Sequence, residues 1–378
     1  MYRHQDRTDN NKRPTRDHYD RPVERSHGRE RDSLGRLGGL IIGIIFGFIV
    51  QRTNFCTMGS ISDILSFGDW RRFRAWLMAS GVAIVGVAVL ERTEIADMSF
   101  SMYVTPSLTW GGHIIGGFVF GVGMVFGGGC VSKNLVRVGG GDLRSFIVLG
   151  VIGITAYMTI GGLFGPTRVA IVTPLTTELA LDDQRIGTIL SGVTGMAPGT
   201  ANLIAVILFG GGFIVYGLAN KAFRSSPSHL IAGIGIGLCV TAGWLLTAMT
   251  FDEFADNPTL ASLSYVRPAG DSIDYFMRFT AFEGISFSVV TTLGALIGAF
   301  IGAVSQKRFH LATFSDAPDT LRNMAGAVLM GIGGVVALGC TVGQAVTGFS
   351  TLAVGSLLTF VFIIIGGIVG MKAMEAMA

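Results

Sequence analysis

The chain has 378 residues, 50% of them apolar and only 14% charged, with a net charge of +3 and a mean hydropathy of +0.58. Soluble globular chains carry roughly 25% charged residues, so a soluble enzyme and a nucleic-acid-binding module are both excluded in favour of a polytopic membrane protein. Four cysteines in this length do not make a disulfide framework, and the 55 glycines show no three-residue period, which points to helices packed closely through small residues and helices broken on purpose.

Residues 1–33 are rich in charges of mixed sign and nearly free of aliphatic side chains. Such a segment buries too little surface to fold and is expected to be a disordered tail. Residues 34–378 read as one all-α transmembrane domain. Nine apolar spans are predicted, at roughly 36–51, 73–90, 110–127, 144–164, 199–217, 229–250, 284–304, 323–338 and 352–373. Between them lie four segments too short or too broken to cross, at 53–67, 129–140, 266–282 and 340–350. Irregular backbone at membrane depth survives only where protein or a wet cavity surrounds it. Thirteen Lys and Arg in alternate loops and the C-terminus, against five in the others, place the C-terminus in the cytoplasm and the N-terminus outside. The basic residues of the tail pull the other way.

The order of elements repeats. Spans 1 to 4 (34–165) run span, broken segment, span, span, Gly-Cys segment, span. After a connector (166–225) with one span, residues 226–378 run in the same order. An odd connector inverts the second unit, and inverted repeats are the architecture of many transporters, with the binding site near the midplane where discontinuous helices meet. In this register Gly129-Cys130 matches Gly339-Cys340, and Val136 matches Val346.

The broken segments carry the candidate chemistry. The first, from Gln51 to Asp63, holds Arg52, Asn54 and Cys56 just beyond span 1, with Arg52 read as an interfacial cation that Asp63 balances. In the second, Gly127-Gly128-Gly129-Cys130-Val131-Ser132-Lys133-Asn134, a short helix starting at depth presents unpaired N–H groups and a partial positive charge. That is an anion site without a charged side chain. Gly129 lets backbone approach an anion, and Ser132 and Asn134 are hydrogen-bond donors. The third, Tyr265 to Asp271, is given no chemistry beyond completing a cavity. The fourth repeats the second, with Gly339, Cys340, Thr341 and Gln344 in the corresponding roles. A thiol is a weak donor with a soft sulfur, suited to a soft sulfur-containing anion that must bind well enough to enter and weakly enough to leave. Cys239 lies inside an apolar run and reads as a small core residue.

None of the six histidines stands at ligand spacing from a cysteine, so no metal and no cofactor is expected, and no ATP-binding motif is present. Two rivals to transport stay open. One is a membrane thiol enzyme in which Cys130 or Cys340 relays sulfane sulfur as a persulfide, although no His, Asp or Glu adjoins either in sequence. The other is a scaffold or an anion channel of different specificity.

On Gln51-Arg52-Thr53-Asn54-Phe55-Cys56, Gly127-Gly128-Gly129-Cys130 with Leu135-Val136-Arg137, Leu338-Gly339-Cys340-Thr341-Val342-Gly343-Gln344 and Gly355-Ser356, the chain resembles the sulphur-transport family of YeeE/YedE type, which includes bacterial thiosulfate uptake proteins. The resemblance implies an hourglass-shaped multi-pass transporter of the bacterial cytoplasmic (inner) membrane, not an enzyme. It implies a central path in which thiosulfate hydrogen-bonds to the thiols of Cys130, Cys340 and Cys56, and a small cytosolic sulfur-carrier protein as partner. It also implies a further cysteine in the second half, yet residues 280–288 contain none, which admits another sulfur or selenium species as substrate.

Overall fold

The computed structural model describes residues 22–251, 259–281, 284–314 and 316–377. The helices, in chain order, are α1 (Pro22–Thr53), α2 (Thr57–Phe67), α3 (Arg71–Arg92), α4 (Trp110–Phe126), α5 (Val131–Gly139) and α6 (Leu143–Ile160). A connector follows with α7 (Gly165–Val172), α8 (Ile186–Thr194), α9 (Pro198–Ala205), α10 (Gly212–Ala219) and α11 (Lys221–Arg224). The remainder holds α12 (Pro227–Met249), α13 (Val266–Met277), α14 (Phe287–Ser305), α15 (Ala317–Val336), a short segment wound as π-helix over Gly343–Gly348 and 3-10 helix over Phe349–Thr351, and α16 (Val354–Met377). The protein is an all-α polytopic membrane protein. The only sheet among the described residues is a two-stranded antiparallel ladder, β1 (Ser107–Leu108) with β2 (Thr177–Glu178), which ties the connector to the loop before α4.

Eight described stretches are long and apolar enough to cross a bilayer. The expected eighth of nine spans, 323–338, is helical as α15, but its first turns carry Asp319 and Arg322, and it is not among those eight. All four segments expected to be broken are short helices: α2, α5, α13 and the π segment. α1 begins at Pro22, inside the segment expected to be disordered; residues 1–21 lie outside the described residues. Side chains cap several starts. Asp142 accepts from Arg144 N ahead of α6, and Asp316 accepts from Asp319 N ahead of α15. Ahead of α3 the Arg71 guanidinium beside Asp69 holds that carboxyl down to about 2.

Glycine sets how closely the long helices approach. A Cβ on Gly43 would stand 2.4 Å from Thr291 O, one on Gly47 2.0 Å from Ala295 O, and one on Gly298 1.9 Å from Ile44 O. The α1 and α14 backbones therefore touch, and their contacts advance together, so the two run parallel. α3 and α12 are also parallel, with Gly233 against Ala75 and Gly237 against Ala79. α1 and α12 run antiparallel, with Gly38 against Leu246 and Gly235 against Ile49; so do α4 and α15, with Gly116 against Gly333 and Gly123 against Gly326.

These directions make the inverted repeat visible. Exchanging α1 to α6 with α12, α13, α14, α15, the π segment and α16 turns the main packing pairs into other observed pairs. α1/α14 becomes α12/α3, α4/α16 becomes α15/α6, α5/α14 becomes the π segment with α3, and α6/α13 becomes α16/α2. Helices that exchange, such as α1 and α12, point in opposite directions.

Candidate functional site

Each half interrupts its fourth position with the same backbone manoeuvre. α4 ends when Gly128 N bonds Val125 O (3.2 Å) and Gly129 N bonds Met124 O (2.8 Å). α15 ends when Leu338 N bonds Val335 O (3.1 Å) and Gly339 N bonds Gly334 O (2.7 Å). Gly128 (φ 68°) and Leu338 (φ 60°) take the same left-handed turn. Cys130 then opens α5, whose first turn closes as Asn134 N bonds Cys130 O (3.0 Å), and Cys340 opens the π segment as Gln344 N bonds Cys340 O (2.8 Å).

The amides expected to face an anion hold the break together instead. Asn134 Nδ2 donates to Gly129 O (2.9 Å), Gly127 O (3.3 Å) and Cys130 O (3.3 Å). Gln344 Nε2 donates to Ala337 O (2.6 Å). In each half a side-chain amide from the first turn of the short helix thus caps the end of the long one, Asn134 with bonds to three carbonyls and Gln344 with a bond to one.

All four short helices begin at one place and run outward. Their starts are Cys56, Cys130, Tyr265 and Cys340, and all four residues are buried. The thiols of Cys56 and Cys130 are neighbours, and the Thr341 hydroxyl lies beside Cys130. Ser132 Oγ is 3.3 Å from Cys130 Sγ. Cys340 lies within electrostatic reach of Cys130 and takes a hydrogen bond on its sulfur from Gly343 N (3.3 Å). The predicted site residues Cys56, Cys130, Cys340, Gly129, Ser132, Asn134, Gly339, Thr341 and Gln344 therefore belong to one cluster, where helix N-termini converge and favour negative charge. Cys130 and Cys340 are both 0% exposed, so the thiols are closed off from either face in this conformation.

A cavity of about 820 Å³ approaches the cluster from one side. Arg168 and Arg267 lie at its rim, Tyr103, Ser262 and Ser264 line it, and Leu338 and Gly339, the residues just before Cys340, form its floor. The loops around it are those the charge count assigns to the outside. On the opposite side three cations attend the first half. Lys133 Nζ donates to Asn54 Oδ1, Arg137 Nη1 donates to Gly128 O (2.6 Å), and Arg72 lies over Gly59, where a Cβ would stand 2.0 Å from its Nη1. Asp63 pairs with Arg72 at 3.3 Å, not with Arg52, which reaches Ser305 Oγ at 3.2 Å. Arg52 lies in the last turn of α1 and reaches α14, so the expected balance between Arg52 and Asp63 is corrected.

Sequence reasoning missed Tyr265 and the cations Arg72 and Lys133. The only available signal for Tyr265 was its place at the head of the broken segment that follows the first span of the second half, as Cys56 heads the one in the first half. Cys239, on α12, is buried as expected and lies within electrostatic reach of Tyr265. The cysteine-free stretch 280–288, outside residues 282–283, borders the mouth of the cavity, where Ser288 Oγ donates to Asp271 (2.9 Å).

The sulphur transport family matches residues 52–369, a range that contains every element of this site. The chain belongs to the sulphur transport family. Among relatives of this family, the thiosulfate transporter TsuA of Spirochaeta thermophila is 27% identical over 333 residues, covering 87% of this chain and 96% of that protein. TsuA of Escherichia coli is 27% identical over 351 residues, covering 87% and 92%. The probable transporter YedE of Salmonella typhimurium is 28% identical over 107 residues, covering 28% and 24%. The chain is a multi-pass membrane protein that transports a sulfur-containing anion.

Proposed function

We propose that the protein is a permease that carries thiosulfate intact across the cytoplasmic membrane through the Cys56–Cys130–Cys340 cluster. The observation that supports this most is the convergence of three cysteines from three separate helix starts, two of them at repeat-equivalent positions after breaks closed by the same pair of backbone hydrogen bonds. Four N-termini supply positive potential without a fixed ion, and weak thiol donors bind without trapping. The named relatives favour thiosulfate over other sulfur or selenium anions. In this reading the boundaries 34–165, 166–225 and 226–378 mark repeat one, connector and repeat two. The anion enters by the 820 Å³ vestibule and leaves past Lys133 and Arg72, where a small cytosolic sulfur-carrier protein would receive it.

The test is uptake by reconstituted vesicles of thiosulfate labelled in either sulfur. Both labels are expected to accumulate equally, and Cys130→Ala and Cys340→Ala are expected to reduce uptake to the level of empty vesicles. Accumulation of the sulfane label alone would mean persulfide relay, and undiminished uptake by both variants would remove the thiols from the path.

A further inference from the structure

The fourth helix start at the waist carries a tyrosine. Tyr265 precedes α13 as Cys56 precedes α2, and α13 and α2 are exchanged by the repeat. Its ring is 1% exposed and stacks on Phe46 with centroids 5.1 Å apart. Its hydroxyl has no hydrogen-bond partner.

The segment around it is fixed against the second Gly-Cys break. Thr347 Oγ1 donates to Leu263 O (2.6 Å), a Cβ on Gly343 would stand 2.7 Å from Ser264 Oγ, and a Cβ on Gly334 would stand 2.7 Å from Val266 Cγ2. The phenol lies within electrostatic reach of Cys239 and Cys340. A second buried hydroxyl without a partner, Thr57 Oγ1, sits one residue after Cys56, and Thr341 Oγ1, one residue after Cys340, has only the weakly interacting Cys130 thiol beside it. Buried hydroxyls are ordinarily satisfied, and each left unsatisfied lowers stability. Hydroxyls left in this state on residues at the starts of α2, α13 and the π segment are explained by a ligand that accepts from them.

We propose that Tyr265 is a specificity-determining residue whose phenolic O–H, together with the Thr341 hydroxyl, donates to the oxygen atoms of the passing anion, while the paired thiols of Cys56 and Cys130 meet its soft end. The inference rests on the permease reading and refines its substrate class. The preferred anion has hard oxygens at one end and a soft chalcogen at the other. A phenol is a stronger donor than a thiol, and being neutral it selects oxygen without holding the anion as an ammonium or guanidinium would.

Tyr265→Phe keeps the ring and its stack on Phe46 and deletes one oxygen. Two readouts are needed: uptake of labelled thiosulfate by vesicles, and the rise in melting temperature that thiosulfate gives the purified protein. In the variant the half-saturating concentration is expected to rise about tenfold or more, the loss of one hydrogen bond to an anion. The ligand-free melting temperature is expected to stay or rise, because an unsatisfied buried hydroxyl has gone. Thr341→Val is expected to weaken thiosulfate in the same sense. A purely structural tyrosine would give the reverse pattern, a lower melting temperature with unchanged half-saturation, and that result overturns the assignment. Should wild-type vesicles fail to take up thiosulfate while thiosulfate still stabilises the protein through Tyr265, permeation is refuted and the binding role stands. Absence of both uptake and stabilisation refutes both.

Discussion

The two Gly-Cys breaks share a backbone and differ in almost everything that holds it. The first is secured by an asparagine donating to three carbonyls, by Arg137 on Gly128 O and by Lys133 on Asn54. The second has a glutamine on one carbonyl, and a leucine in the left-handed turn where the first has glycine. The cavity floor lies at the second break. The inverted pair thus distributes its roles: one half is pinned by charge and amide, and the half that meets the vestibule is held without a charged side chain, by its glutamine and by hydroxyls, Thr347 Oγ1 on Leu263 O and Ser80 Oγ on Ala345 O. A transporter needs one element that stays and one that yields, and the break that no fixed charge pins is the one placed to yield.

The sharpest way to break this comparison is to add one methyl group to each half. Gly129 has φ 147°, a region side chains rarely enter, and a Cβ there would stand 3.1 Å from Lys133 Cγ. Gly339 lacks a positive φ, and its Cβ would meet Gln344 Cγ at 3.3 Å. Gly129→Ala is expected to cost about 3 kcal/mol through strain, and Gly339→Ala less than about 1 kcal/mol, within the range of mild substitutions. Melting curves in detergent compare the two directly. Equal losses would mean that the halves are equally rigid and that the division of roles is wrong.

Next in size is removal of the amide caps. Asn134→Leu strips a donor from three carbonyls and is expected to cost about 2 kcal/mol; Gln344→Leu strips it from one and is expected to cost about 1 kcal/mol. Gln344 Oε1 is buried without a partner, so its loss offsets part of the damage. The same melting curves decide the order, and a costlier Gln344→Leu would reverse which half is the pinned one.

Much of this was legible because membrane burial leaves strong marks in sequence. The spans follow from apolar runs, and the four breaks follow from glycine, proline and polar residues interrupting them. The match between Cys130 and Cys340 followed from the repeated Gly-Cys pair and the element order, and the two residues lie in one cluster. What sequence could not give was direction. Asn134 and Gln344 are donors in either reading, and only coordinates show them turned back to the carbonyls of the preceding helix. Asp63 stands near both Arg52 and Arg72 in sequence, and the turn at Gly68 (φ 64°), which ends α2 and leads into α3, brings Arg72 to it. Tyr265 escaped because its equivalence to Cys56 is positional: no chemical likeness links a phenol to a thiol, so register became evident only when α2 and α13 were seen to exchange.

The smallest expected effect on stability concerns Leu338, and there the comparison passes from folding to transport. Leu338 holds φ 60°, a conformation that a β-carbon makes costly by about 1 kcal/mol. Leu338→Gly relieves that strain, as Gly128 does in the first half. It also removes a half-buried apolar side chain, which costs about 1 kcal/mol. The two terms nearly cancel, so the melting temperature is expected to move less than in any variant above. Uptake is a different matter, because Leu338 lies on the vestibule floor one residue from Gly339 and two from Cys340. If the residues of this break obstruct the way to the thiols, a glycine there speeds thiosulfate entry at unchanged stability. If uptake instead stays the same while Gly339→Ala slows it, the constriction belongs to the backbone at Gly339 and not to the side chain before it.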